Sequence, residues 1–220
     1  MDSGTSTLAL RHQFASAAQQ KDVSTLGMWI FLVTEIMFFG GMFCMYTVYR
    51  SLYASAFGAG SNHLDVTLGA VSTVVLIGSS FTMAMAVNSA ATGNRRALLV
   101  NLIITILLAA GFLVTEMWEW YQLHLERLVP GSSFHFEGAD PGHAQLFFSM
   151  YFSMTGLHAS HVLIGIGLLT IMAIRAARGA FSTGYFTPIE IAGLYWHFVD
   201  LVWIFLFPLF YLVARHATHG

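Results

Sequence analysis

Charge is what this sequence has least of. Asp, Glu, Lys and Arg make up only 9% of its 220 residues, against roughly 25% in soluble domains, too few to clothe a water-facing surface. Cysteine occurs once, as Cys44, which excludes an intrachain disulfide and any metal site built on paired cysteines. The lone thiol is expected to pack as a small apolar residue inside the molecule. There is no basic run, and a net charge of -2 argues against a nucleic-acid partner. The first 24 residues are polar, with no apolar core followed by a small-residue cleavage site, so no secretory signal peptide is expected.

Hydrocarbon fills the chain instead. Hydrophobic residues reach 56% and the mean hydropathy is +0.68, the composition of an integral membrane protein. The apolar runs are long and continuous, so spanning helices are expected and a transmembrane barrel is not. Five runs are long enough, at about 25–49, 66–87, 97–121, 144–174 and 189–213. They predict an all-α fold, a polytopic bundle of five transmembrane helices with tails at 1–24 and 214–220 and a Gly-, Ser- and Ala-rich connector at 51–65. The second run carries Gly69, Ser72, Gly78, Ser79 and Ser80, small residues that let helix backbones approach closely. Tyr46, Tyr49, Arg50 and Tyr53 read as an interfacial cluster closing the first run. Arg11, Lys21, Arg95, Arg96, Arg175 and Arg178 fall on one side, and Arg50, Arg127 and Arg215 on the other. That bias predicts a cytoplasmic N-terminus and a periplasmic C-terminus.

Ionisable residues inside the apolar runs are the functional candidates, since a charge at a helix centre costs about 2.5 to 3.5 kcal/mol on the insertion scale. Residues 195–203 read Tyr-Trp-His-Phe-Val-Asp-Leu-Val-Trp and set His197 and Asp200 three residues apart. On a helix the two lie about 60° apart and roughly 4.5 Å along the axis. His158 and His161 repeat that spacing in the preceding run. At about 1.5 Å per residue all four fall at similar depth, so one inter-helix polar cluster is expected, with a histidine as the partner of Asp200. Glu35 lies near the middle of the first run with no cation close in sequence, a carboxyl suited to relaying protons or reacting with hydrophobic carboxyl reagents. Glu116 and Glu119, beside Trp118 and Trp120, read as interfacial acidic residues. His158, His161 and His197 could instead ligate a metal or haem, although ligands one turn apart on one helix suit a haem poorly and a zinc site needs more donors. His135, Glu137, Asp140 and His143 match no ligand spacing and read as a solvated loop.

Together these motifs resemble subunit III of the haem-copper terminal oxidases, the family of cytochrome c oxidase subunit III and its quinol-oxidase counterpart. Residues 26–40, Leu-Gly-Met-Trp-Ile-Phe-Leu-Val-Thr-Glu-Ile-Met-Phe-Phe-Gly, are similar to that family's glutamate-bearing helix. Residues 112–120, ending in Glu119-Trp120, are similar to its acidic-aromatic helix end, residues 155–165 to its two-histidine helix, and residues 195–203 to its last helix. The four stand in the family's order, and the resemblance covers the chain from residue 25 onward. The family's mitochondrial members have seven spans, so five look like the shorter bacterial form. One departure is Ala159-Ser160 between the histidines, where the family usually has Gly-Leu.

The resemblance implies a non-catalytic subunit of the bacterial cytoplasmic (inner) membrane, with no metal, haem or other redox centre of its own. It implies partners in catalytic subunit I, in subunit II and in other oxidase subunits, which would hold the haems and copper. It also implies support of sustained turnover and proton uptake, bound phospholipid, and reaction of Glu35 with hydrophobic carbodiimide. The expected complex is a cytochrome c oxidase. The alternatives are a quinol-oxidase subunit III and a self-sufficient haem or metal membrane protein using the three histidines. A proton-coupled transporter would need helices broken at mid-membrane in paired halves, and the one proline inside a run, Pro208, lies near its end.

Overall fold

Helix starts are written into the local sequence. Asp65 accepts hydrogen bonds from the Thr67 and Leu68 amides, Asn94 from Ala97, and Asp140 from Gly142 and His143 with Pro141 at the first helical turn. Each satisfies amides that a helix N-terminus leaves unpaired. In a computed structural model that describes residues 16–137 and 140–212, the helices are α1 (Ala17–Leu52), α2 (Ala54–Ser61), α3 (Val66–Ala91), α4 (Arg95–Leu125), α5 (Pro141–Ala177) and α6 (Thr187–Tyr211). Among the described residues there is no strand, only an isolated bridge between Ser182 and Tyr185. All but α2 are long and apolar enough to cross a membrane, which makes this a multi-pass membrane protein.

Two features differ from the reading of the sequence. Helix α1 begins inside the stretch read as a tail, because the Ser16 side chain caps it by accepting from the Gln19 amide. The connector after α1 contains α2, whose Phe57 and Gly60 are buried. The expectations for Arg11, Arg215, residues 1–15 and the 214–220 tail lie outside the described residues.

Helix α6 holds the bundle together, packing against α1, α3 and α5. Its neighbours make room with small residues. A Cβ on Gly165 of α5 would stand 2.6 Å from the Trp196 ring, and one on Gly69 of α3 would stand 2.9 Å from the Phe207 ring. Its inward polar atoms find acceptors on α3: Trp196 Nε1 donates to Ser79 Oγ at 2.7 Å and Trp203 Nε1 to Thr73 Oγ1 at 3.0 Å. At the turn between α3 and α4, Gly93 takes a positive φ of 73°, a conformation open to glycine. Arg95, at the α4 start where a cation is disfavoured, reaches across to donate to the Ala177 carbonyl at the α5 end.

One expectation fails. Cys44 is exposed on α1 rather than packed inside, because α1 lies at the edge of the bundle and presents one broad apolar face outward. Tyr46, from the cluster that closes the first run, turns into the bundle and is fully buried. Its hydroxyl donates to the Leu209 carbonyl in the last turn of α6 at 2.8 Å.

Gly165 and Gly167 offer a matched test of this packing. Gly165→Ala is expected to cost about 1–3 kcal/mol through overpacking against Trp196. Gly167→Ala, whose Cβ would meet nothing within 4 Å, should be neutral or stabilising by up to about 1 kcal/mol. Thermal unfolding of the two variants in the same detergent measures the difference.

Candidate functional site

Glu35 acquires its partner from a helix distant in sequence. His161 on α5 places Nε2 3.2 Å from Glu35 Oε2, a partner that the sequence around Glu35 does not supply. His161 Nδ1 lies 2.8 Å from the Leu157 carbonyl, and since a carbonyl only accepts, Nδ1 carries a hydrogen. The short Nε2–Oε2 contact then needs one further proton, held by either group. Tyr195 of α6 donates to the His161 carbonyl at 3.0 Å, so three helices meet here.

The four residues expected to cluster are divided among different neighbours. His197 forms a 2.7 Å hydrogen bond through Nδ1 with Ser80 Oγ on α3. Asp200 faces the same α3 side, and it and His197 line one cavity of about 210 Å³. Neither Asp200 oxygen has a hydrogen-bond partner among the described residues, so the expected histidine partner is absent. His158 is buried between the rings of Phe112 and Trp203, with centroids 5.4 and 5.2 Å away, and both its nitrogens lack a hydrogen-bond partner among the described residues. The physical reason is rotational. A spacing of three residues turns a side chain by about 60°, enough to send His158 toward α4 and α6 while His161 meets α1. Among the described residues no three His, Cys, Asp or Glu side chains are grouped to hold a metal.

Glu116 and Glu119 face the interior of the bundle. They are 2% and 5% exposed, while Met117 and Trp118 between them are 58% and 56% exposed. The acidic pair shares the inward face of α4, and the apolar residues face out. Glu119 accepts from Tyr151 at 3.0 Å, from Tyr211, and from the Asp65 amide at 3.3 Å. One carboxyl thereby ties α4 to α5, to α6 and to the start of α3. Among the described residues Glu116 Oε1 and Trp120 Nε1 are buried without a hydrogen-bond partner. Between α4 and α5 His135 sits 3.4 Å from Glu137, and at the α5 start His143 sits 3.6 Å from Asp140, all at exposed positions.

This pattern of membrane helices and buried acid and imidazole groups has a match across nearly the whole chain. The family model described as Cytochrome c oxidase subunit III matches residues 5–215. The chain belongs to that family. Cytochrome c oxidase subunit 3 of Corynebacterium diphtheriae is 32% identical over 91% of this chain and 93% of its own length. Quinol oxidase subunit 3 of Bacillus spizizenii is 34% identical over 87% of this chain and 88% of its own. Cytochrome c oxidase subunit 3 of Loxodonta africana is 35% identical over 82% of this chain and 66% of its own.

Within this subunit III fold, several polar partners escaped the reading of the sequence. Tyr151 lies seven residues before His158, two turns along the same face, and that spacing was a usable signal. Tyr211, Thr73, Ser79 and Ser80 carried none, since one hydroxyl on an apolar helix reads as packing. Tyr211→Phe is expected to destabilise the subunit by about 1–3 kcal/mol by removing a donor from the buried Glu119 carboxyl. Tyr121→Phe, at a site 53% exposed, should stay within about 0.5 kcal/mol. Chemical denaturation of the purified variants compares the two.

Proposed function

We propose that this chain is the non-catalytic subunit III of a bacterial haem-copper oxidase of the cytochrome c type. It sits in the cytoplasmic membrane with its N-terminus inside and its C-terminus in the periplasm, beside subunits I and II. It carries no haem or copper, and supports the turnover and proton uptake of the subunit that does. The observation that carries this reading is the family match over residues 5–215. The dispersal of His158, His161 and His197 to separate partners supports the absence of a redox centre better than it supports a self-sufficient haem protein.

The surface suits such a role. Helix α1 presents Trp29, Ile36, Met37 and Phe38 outward, an apolar face fit for lipid or a neighbouring subunit. A groove of about 920 Å³ runs between α1, α5 and α6, with Met28, Leu168 and Met172 along its apolar wall and Lys21 at its polar end. It fits a phospholipid, the chain along the wall and the headgroup at Lys21, which also pairs with Glu190 at 3.0 Å. Glu35, at the edge of the bundle and 19% exposed, is the carboxyl that a membrane-soluble carbodiimide would reach.

A second reading, a quinol-oxidase subunit III, is favoured by the Bacillus relative. Purification of the complex in mild detergent distinguishes them. The expected result is a haem-copper oxidase spectrum with oxygen consumption driven by reduced cytochrome c; consumption driven by quinol alone would establish the second reading. Removing this chain should leave the initial rate intact and shorten the number of turnovers before inactivation. Carbodiimide labelling of the chain should disappear in Glu35→Gln, and labelling that persists unchanged would remove Glu35 from this role.

A further inference from the structure

The cavity between α3 and α6 poses a chemical problem that the subunit assignment does not address. Asp200 is 4% exposed, faces this space, and leaves both carboxyl oxygens without a hydrogen-bond partner among the described residues. A carboxyl buried in this way costs several kcal/mol unless something hydrogen-bonds to it. Ser80 is next to it but does not meet hydrogen-bond geometry with either oxygen. The cavity volume of about 210 Å³ has room for several waters at about 30 Å³ each, and a water needs two to four polar neighbours. Thr73, Ser80, His197 and Asp200 supply them.

A bound metal cation fits the same space poorly. Thr73 Oγ1 already donates to the Gly69 carbonyl and accepts from Trp203, and Ser80 Oγ is engaged with His197. With at most one lone pair left on each hydroxyl, the two Asp200 oxygens bring the available oxygens to about four, fewer than the six or so a hard cation takes. Ile77, Leu201 and Ile204 line the cavity and are themselves exposed on the surface of the bundle, apolar side chains that offer water no hydrogen bond on that side.

His197 provides the entrance. It lines this cavity and also a second groove of about 420 Å³, which runs along α6 to the exposed Lys21–Glu190 ion pair at the α1 and α6 N-termini. Its Nδ1 faces Ser80, while Nε2 makes no hydrogen bond among the described residues.

We infer that the α3/α6 cavity holds water and that His197 and Ser80 pass protons between Asp200 and the aqueous face at Lys21–Glu190. A hydronium in the outer groove gives a proton to His197 Nε2. The hydrogen on Nδ1 moves to Ser80 Oγ, and the Ser80 hydroxyl hydrogen moves through cavity water to the Asp200 carboxylate. One proton is transferred in total. The products are a neutral carboxyl, one water in place of the hydronium and the other tautomer of His197, and the reverse sequence restores the start. The route ends at Asp200, so the site stores and returns a proton rather than carrying it across the bundle.

Infrared spectroscopy on the intact complex, purified in detergent, tests this without reference to oxidase activity. An acid-minus-base difference spectrum is expected to contain a carboxyl C=O band that is lost in Asp200→Asn and shifts within the mixing time in heavy water. His197→Phe should slow that shift by about a hundredfold, the lower end of what a positioned proton-transfer group contributes. Ser80→Ala, a smaller change that keeps Asp200 and His197, should slow it in the same sense. A band that does not exchange, as for a dry cavity or one filled by a partner's side chain, would overturn the inference. So would the absence of any band assignable to Asp200, or exchange in both variants as fast as in the unsubstituted complex. Failure of the oxidase assignment would leave the spectrum of Asp200 unaffected, so the two conclusions fail separately.

Discussion

Hydrocarbon offers no water to an unpaired polar atom, and the arrangement of α6 against α3 follows from that constraint. Three polar groups on α6, those of Trp196, His197 and Trp203, meet Ser79, Ser80 and Thr73 on α3. Trp203 lies further along α6 than Trp196 and His197, and its partner Thr73 lies earlier on α3 than theirs, so a slide by one turn would strand all three. Such bonds average only about 0.6 kcal/mol each in membrane bundles. Their effect is therefore on register more than on total stability, which comes from close packing. Gly165 under Trp196 and Gly69 under Phe207 show how that packing is reached: the largest rings on α6 lie over positions with no side chain.

The same constraint explains why one carboxyl joins so many of the helices. Glu119 gathers two tyrosine hydroxyls and the Asp65 amide, and Asp65 in turn caps α3. The residue that starts one helix is thus tied to the residue that holds three others. Loss of Glu119 would leave two buried hydroxyls and an amide to be satisfied together, so its contribution spreads over the bundle instead of residing in a single pair.

Much of the fold was legible in composition. Long apolar runs separated by Gly, Pro, Asn and Asp give five membrane-spanning helices because little else can satisfy a backbone in lipid. The motifs around Glu35, Glu119, His158 and Asp200 carried the family resemblance that the comparisons bear out. What the sequence could not supply was azimuth. Sequence spacing tells which residues share a face of one helix, and it is silent on which neighbour that face meets. Spacing and depth alone group His161 in one cluster with Asp200, when its partner is Glu35. They do not tell that Trp118 turns outward while Glu116 and Glu119 on either side of it turn in. Cys44 reads as core because α1 looks as apolar as the rest, and only the structure reveals it as an edge helix.

Three of the membrane carboxyls, Glu119, Glu35 and Asp200, can be ordered by how completely protein satisfies them, and that order separates their roles. Glu119 is bonded to three donors on three elements; moving a proton on or off it would disturb all of them, which suits a fixed joint. Glu35 has one imidazole and sits at the bundle edge, so a proton can shift within the pair while a reagent or a neighbour approaches from outside. Asp200 has no hydrogen bond among the described residues and faces a cavity, so a change in its protonation breaks none of the bonds seen there. A carboxyl that the fold does not use is free to exchange, and a histidine shared between its cavity and an outer groove is the group able to set how fast.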